Sequence, residues 1–193
     1  GLKFGSILEW YISENFSVNS GINLSFNKGG KLLFEQGGDF LANSELSNEA
    51  LHRLPPGVNI RYAIQFIEIP LSVKFRTNEK NFLRYYFELP IFELAFRTRA
   101  RANINGTDIS VSDEIINKDI NLLNIFYGLG AGIEYSLSEH LSVQGGLYFS
   151  SSFFDTTSND GKTEIEDQGN IILIDEDSKG ILNSITLRIA ILF

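Results

Sequence analysis

The chain contains no cysteine, no methionine, two histidines and one tryptophan. Without cysteine it can form neither a disulfide framework nor a thiolate metal site. His52 and His140 fall in connections at opposite ends of the strand arrangement and cannot meet. They therefore supply neither a metal pair nor the His–Ser pair of a membrane-embedded lipid deacylase. No run of roughly 18 apolar residues occurs, which excludes a transmembrane helix. Anions outnumber cations, giving a net charge of -8 that argues against a nucleic-acid partner. No glycine-rich phosphate loop, nucleophile elbow or metal-ligand spacing is present, so neither an enzyme nor a cofactor or metal site is expected. A starting methionine and a signal peptide are also lacking, as expected of a processed or truncated chain whose targeting segment has been removed.

What the chain does have is alternation with a period of two. Ile185, Leu187, Ile189, Ile191 and Phe193 share one face of the last segment, against Ser184, Thr186, Arg188 and Ala190. The same pattern runs through Leu2–Ile12, Phe16–Phe26, Leu123–Tyr135 and Leu141–Phe153. Seven strands are legible, at about 2–12, 16–27, 60–76, 81–101, 121–136, 140–154 and 181–193. In two of them the apolar face changes phase. Tyr62, Ile64 and Phe66 give way to Ile67, Ile69 and Leu71, and Leu89 and Ile91 give way to Phe92, Leu94 and Phe96. A one-residue slip is the mark of a β-bulge, and Pro70 and Pro90 lie nearby, where a ladder donor is missing. Helical periodicity is confined to Ser44–Leu54, inside a loop.

The connections alternate between tight polar turns (Ser13–Asn15, Thr77–Asn81, Ser136–His140) and long segments (Asn27–Asn59, Ala102–Asn121, Asp155–Gly180). Short periplasmic turns and long extracellular loops are the habit of outer-membrane β-barrels. The expected fold is therefore one all-β, antiparallel transmembrane barrel over residues 1–193, with its carboxy terminus in the periplasm. Single-chain bacterial barrels have an even number of strands. The expected count is thus eight, with the first strand preceding Gly1. The alternative is that Lys31–Gln36 pairs as an extra strand. A soluble lipocalin-like barrel would turn the apolar face inward. The glycines and charges on the other face, the loop asymmetry and the terminal Phe193 favour the membrane version.

Several segments resemble the outer-membrane barrels of Bacteroidetes called PorT-like or "porin family", small barrels of the OmpA-like kind. They are Phe66-Ile-Glu-Ile-Pro-Leu-Ser-Val-Lys-Phe75, Arg84-Tyr-Tyr-Phe-Glu88, Gly128-Leu-Gly-Ala-Gly-Ile-Glu-Tyr135 and the closing strand. The resemblance spans nearly the whole chain and implies localisation in a Gram-negative outer membrane. One member type is associated with type 9 secretion. Leu89-Pro90, where glycine is expected, and the Arg97, Arg99, Arg101 ladder depart from the pattern. The family has no established catalytic motif, so no functional residue transfers.

Lys3, Glu9, Glu68, Arg84, Glu88, Glu93, Arg97, Arg99, Glu134 and Arg188 fall on non-lipid faces and are expected to pair across the lumen and plug it. Arg97, Arg99 and Arg101 approach the extracellular rim, where they could meet an anionic headgroup or the acidic loops. Asp155–Gly180 holds eight acidic residues, read as a solvated loop rather than a Ca²⁺ site, and its buried-looking Ile171–Ile174 as part of a hairpin above the membrane. Trp10, Tyr11, Tyr85, Tyr86, Tyr127, Tyr135, Phe149, Phe153 and Phe193 suit aromatic girdles. Leu187, Ile189, Ile191 and Phe193 are read as the signal recognised by the outer-membrane assembly machinery. The expected partners are that machinery, the bilayer with its lipopolysaccharide, and a larger membrane complex. The expected role is a structural or accessory subunit of an envelope complex for secretion or assembly. A stand-alone adhesion barrel and a narrow diffusion channel are the alternatives.

Overall fold

The computed structural model describes residues 1–44, 52–138, 141–158, 160–167, 170–175 and 180–192. The strands in chain order are β1 (Leu2–Ser13), β2 (Phe16–Lys28), β3 (Lys31–Phe34), β4 (Gly38–Asp39), β5 (Val58–Arg76), β6 (Leu83–Asn105), β7 (Ser110–Ile115), β8 (Leu123–Ser138), β9 (Leu141–Ser152), β10 (Lys162–Asp167), β11 (Asn170–Asp175) and β12 (Asn183–Leu192). Seven of them close a ring in the order β1–β2–β5–β6–β8–β9–β12. Neighbours around the ring are antiparallel except at the seam, where β1 and β12 run parallel from the pair Leu2 and Leu187 to the pair Ile7 and Leu192. Strands that alternate in direction cannot close an odd ring without one parallel pair. The ring thus closes on the seven strands legible in this sequence, and it does not include the eighth expected before Gly1. Lys31–Phe34 does pair, but it continues the lane of β2 along β5 instead of taking a position of its own.

A membrane crossing takes about 9–11 residues per strand. β5 has 19 residues and β6 has 23, so both run well past a bilayer. Along β5 the even positions from Val58 to Lys74 are all buried, without interruption. The phase slip read around Phe66 is therefore absent. What changes there is the chemistry of each face, not its direction. Ile67, Ile69, Leu71 and Phe75 point outward opposite the buried Glu68, Ser72 and Lys74. Above Phe66 the buried side is Tyr62, Ile64 and Ile60, while Arg61 lies on the outside. Along β5 the lower barrel is apolar outside and polar inside, and the upper extension has the opposite arrangement.

The slip expected in β6 is real. Ser72 pairs with Ile91 and Lys74 with Glu88, so Leu89 and Pro90 together oppose Val73. Against β8, Glu88 pairs with Gly130 and Ile91 with Gly128. Proline has no N–H to give the ladder, and the bulge falls where that donor is missing. A second shift lies higher, where Gln65 pairs with Arg99 but Phe66 with Arg97. Beyond it Ala100, Ala102 and Ile104 turn inward.

The extension is walled by β3 and β7 on either side of the β5–β6 pair. β7 occupies the segment Ala102–Asn121, which the sequence presents only as a loop. A core including Phe40, Leu41, Leu54, Val58, Ile60, Ile64, Phe66, Ile104, Ile116, Ile120 and Phe126 fills its interior. Each such side chain contributes about 1.5–3 kcal/mol by leaving water, so the extension has the core of a soluble domain. β10 and β11 form a hairpin that joins β4 in a separate three-stranded sheet. Ile171, Ile172, Leu173 and Ile174 on that hairpin are exposed rather than buried. Of the possible helix in Ser44–Leu54, positions 45–51 lie outside the described residues, and Leu54 bridges to Gly38.

Candidate functional site

The lumen of the lower barrel is filled by three layers of charge. In the upper layer Lys3 lies 2.6 Å from Glu68 and 2.5 Å from Glu93, and Lys28 lies 2.9 Å and 3.1 Å from the same two carboxylates. Two cations and two anions thus close a ring contributed by β1, β2, β5 and β6. The Lys28 ammonium also sits 3.6 Å above the Phe126 ring, where the charged layer meets the apolar core. In the middle layer Arg188 pairs with Glu88 and with the Tyr148 hydroxyl, its guanidinium 3.9 Å from the Tyr148 ring. Tyr148 donates to Glu88 at 2.9 Å, and Ser72 donates to the other carboxylate oxygen at 3.0 Å. In the lower layer Lys74 lies 3.2 Å from Glu9 and 2.6 Å from Glu134. Arg84 reaches Glu134 at 3.2 Å and Glu79 at 2.6 Å, and Arg76 closes on Glu134 at 3.5 Å. Gln144 ties the lower two layers together, accepting from Lys74 at 3.1 Å and donating to Glu88 at 3.2 Å.

Each layer is neutral: two lysines against two glutamates, Arg188 against Glu88, and Lys74, Arg76 and Arg84 against Glu9, Glu79 and Glu134. The side chains of Lys3, Lys28, Glu68, Lys74, Glu88, Glu93, Glu134 and Arg188 are no more than 2% exposed. The lumen is therefore closed to bulk solvent at these levels. Carboxylates held this way are paired structural ions, and a buried charge is tolerated only when it is paired and hydrogen-bonded. Among the described residues no group of three or more His, Cys, Asp or Glu is placed to hold a metal.

Tyrosine and glycine complement one another in the wall. A Cβ on Gly130 would lie 2.2 Å from the Tyr148 ring, and one on Gly146 would lie 2.3 Å from the Tyr86 hydroxyl. Tyr86, read from sequence as part of a girdle, is 4% exposed and donates nothing to the lipid face. Its hydroxyl lies 2.8 Å from that of Tyr148 inside the lumen and, with the Tyr148 proton on Glu88, is the donor of that pair.

Eight of the ten charges singled out by sequence take part in the network, with Arg84 at its periplasmic edge. The other two do not. Arg99 is exposed on the outside of the extension, because the shift at Thr98 reverses the facing of β6. Arg97 is half-buried at that shift, and its Nε has no hydrogen-bond partner. Sequence reading missed Lys28, Lys74, Arg76, Tyr148 and Gln144. Lys74 and Tyr148 were available from the alternation, since each is flanked by two outward apolar residues. Leu187, Ile189 and Ile191 face outward on β12, while Phe193 and His140 lie outside the described residues.

Two further features bracket the network. At the periplasmic mouth Tyr11, Arg76, Glu79, Arg84, Ser142 and Leu192 line an open cavity of about 640 Å³. At the extracellular end Asp119 accepts the Asn43 N–H at 2.8 Å and the Ser44 hydroxyl. Its backbone carbonyl accepts the Ser158 N–H at 2.9 Å, so one residue fastens three loops. Burial pushes the Asp119 carboxyl up to about 6, with Asp39 and Asp160 acting in the same direction and the Asn43 N–H and His52 against it. His52 itself lies 3.6 Å from Asp39, half-exposed.

The outward face of the ring carries the belt that a bilayer demands. Leu8, Trp10, Ile22, Leu24, Leu71, Leu94, Leu129, Leu147, Ile185 and Ile189 are all exposed on it. Aromatic contacts lie near its lower edge, Phe16 with Phe75 at 5.1 Å and Phe82 with Tyr135 at 6.5 Å. At its upper edge Tyr127 meets Phe153 at 6.1 Å. No curated protein and no solved structure matches the chain. A family model described as the outer membrane protein beta-barrel domain matches residues 1–150, from β1 through most of β9. With an apolar belt outside, paired charges inside and that match over most of its length, the chain belongs to the outer-membrane β-barrel family and is a protein of the Gram-negative outer membrane.

Proposed function

We propose that this barrel is a non-enzymatic, non-conducting structural or accessory subunit of a larger envelope complex, with secretion or assembly machinery as the process it serves. The observation that carries the reading is the filled lumen: three neutral layers of buried charge beneath an apolar core leave the barrel's outer surfaces as its means of acting. The exposed Ile171–Ile174 strand, on the edge of the extracellular sheet, supports a contact with another protein. The motifs Phe66–Phe75 and Gly128–Tyr135 support the finer placement among PorT-like barrels of Bacteroidetes, and with it a link to type 9 secretion.

The test is extraction of the natively expressed protein from outer membranes in mild detergent, followed by native mass and identification of co-purifying chains. A stoichiometric large complex is expected. A particle of the barrel's own mass would overturn the accessory role and leave a stand-alone binding barrel that uses its extracellular loops. Planar-bilayer recording addresses the diffusion channel. No unitary current is expected from the reconstituted protein, and a stable conductance would revive that alternative.

A further inference from the structure

Above the belt, one wall of the extension carries a cluster of cations that the lumen does not use. Lys31 on β3 and Arg61 on β5 are exposed and directly opposite one another in the ladder. Like charges across a strand pair repel and destabilise the pairing unless an anion lies between them. On the neighbouring strand Arg101 pairs with Ala63, two residues from Arg61, and Arg99 pairs with Gln65. Arg97 follows next to Phe96, the last outward apolar residue of β6. Five of the chain's 16 cations thus gather on one wall of a protein whose net charge is -8. Asp113 neutralises Arg101 at 2.6 Å. Among the described residues Lys31, Arg61, Arg97 and Arg99 have no carboxylate partner, and the Nε of Arg97 is buried without a hydrogen bond.

The heights match a headgroup. Ile67 pairs with Phe96 at the top of the belt. At about 3.3 Å per residue and a tilt of about 40°, Arg99 stands ~8 Å above that level and Arg61 ~15 Å. The polar zone of a bilayer begins at the foot of this ladder. Guanidinium groups bind phosphate through paired N–H donors. We propose that the β3–β5–β6 wall binds the phosphate-bearing headgroup of an outer-leaflet glycolipid, with Arg97 and Arg99 at the level of its phosphates and Arg61 and Lys31 at the level of the acidic sugars above. The inference is independent of the accessory role and needs only the orientation in the membrane.

The test uses the full chain purified in detergent, with bisphosphorylated lipid A bearing its acidic inner-core sugars as probe and three comparison ligands: the same glycolipid dephosphorylated, zwitterionic phospholipid and inorganic phosphate. Native mass spectrometry is expected to show one retained lipid A molecule, and thermal unfolding to shift upward only with the phosphorylated lipid. Each cation near a charged membrane surface is worth about fivefold in affinity. The triple variant Arg61→Gln, Arg97→Gln, Arg99→Gln should therefore bind ~100-fold more weakly, whereas Lys80→Gln in the periplasmic turn should bind as the parent does. Arg99→Gln alone, with Arg99→Lys as partial rescue, keeps the test available if the triple variant does not fold. Equal binding by parent and triple variant overturns the proposal. So does protection by inorganic phosphate alone, which would mark a free-anion site. A triple variant equally destabilised without lipid would also overturn it, since the arginines would then serve the chain's own acidic loops.

Discussion

Glu93 is the residue whose loss tests the lumen most sharply. It accepts from both Lys3 and Lys28, and among the described residues Glu68 is the only other carboxylate those lysines share. Glu93→Gln preserves shape but removes two of the four ion-pair contacts and leaves two buried cations facing one anion. At an effective dielectric constant of ~20, a contact near 3 Å is worth about 5 kcal/mol before desolvation. Removing one partner of a buried pair costs about 3–5 kcal/mol in practice, because the abandoned charge stays buried. Urea unfolding from phospholipid vesicles, followed by Trp10 fluorescence, reads this as a lowered midpoint at unchanged slope. The double variant Lys28→Met, Glu93→Gln restores neutrality and should recover about 2 kcal/mol or more of the loss. A loss below about 1 kcal/mol for Glu93→Gln, the size of a solvated surface pair, would refute the reasoning. Strict additivity in the double variant would do the same.

Gly130→Ala drives a Cβ into the Tyr148 ring and should destabilise by about 1–3 kcal/mol. Gly145→Ala, whose Cβ meets nothing within 4 Å, should be tolerated in the same assay. Asp119 gives a pH signature. Its folded pKa, at about 6, lies above the ordinary carboxylate value, so the folded cap holds its proton more tightly than the unfolded chain does. Cap stability is therefore fully present below about pH 4, falls as pH rises to about 6, and is level above that. Amide exchange at Asn43 and Ser158, corrected for intrinsic rate, should follow this curve and lose it in Asp119→Asn. Trp10, 56% exposed at the lower part of the belt, should be quenched more strongly by brominated lipids labelled near the headgroup than by those labelled at the chain ends. Quenching that is absent or deepest at the bilayer centre would contradict the placement of the belt.

The lower barrel was legible in the sequence because a lipid face and a polar lumen force alternation at every position. β1, β2, β8, β9 and β12 lie within about two residues of where the pattern puts them. The extension was not legible, for a definite reason. Period-two reading ties apolar to one side, and in β5 the apolar side changes at Phe66 while the strand runs straight. Inversion of the solvent then looks the same as inversion of the strand. Lys28 was hidden by local geometry. It shares parity with the outward Phe26, but Asn27 adopts a positive φ of 53° and the register shifts between Ser25 and Lys28, which turns the lysine into the lumen. Asparagine tolerates that left-handed conformation better than most residues. The Arg188, Glu88, Tyr148 and Gln144 arrangement needed three dimensions, since its members come from three strands.

The reversal of faces on β5 also gives the protein a fixed draught, as a hull has. The boundary falls between Gln65 and Ile67, one side-chain repeat or about 7 Å of strand. Sinking by one repeat would carry Gln65 and the first arginines into hydrocarbon. Rising by one would bring Ile67 and Phe96 into water. Both displacements are opposed along the β5–β6 wall, which fixes the depth of the barrel on that side. The nine residues of β6 from Arg97 to Asn105 then rise above the hydrocarbon, through the headgroup zone, as a mast of roughly 20 Å. A partner that engages the tip of this mast must work at that distance from the hydrocarbon, beyond the reach of anything buried in it.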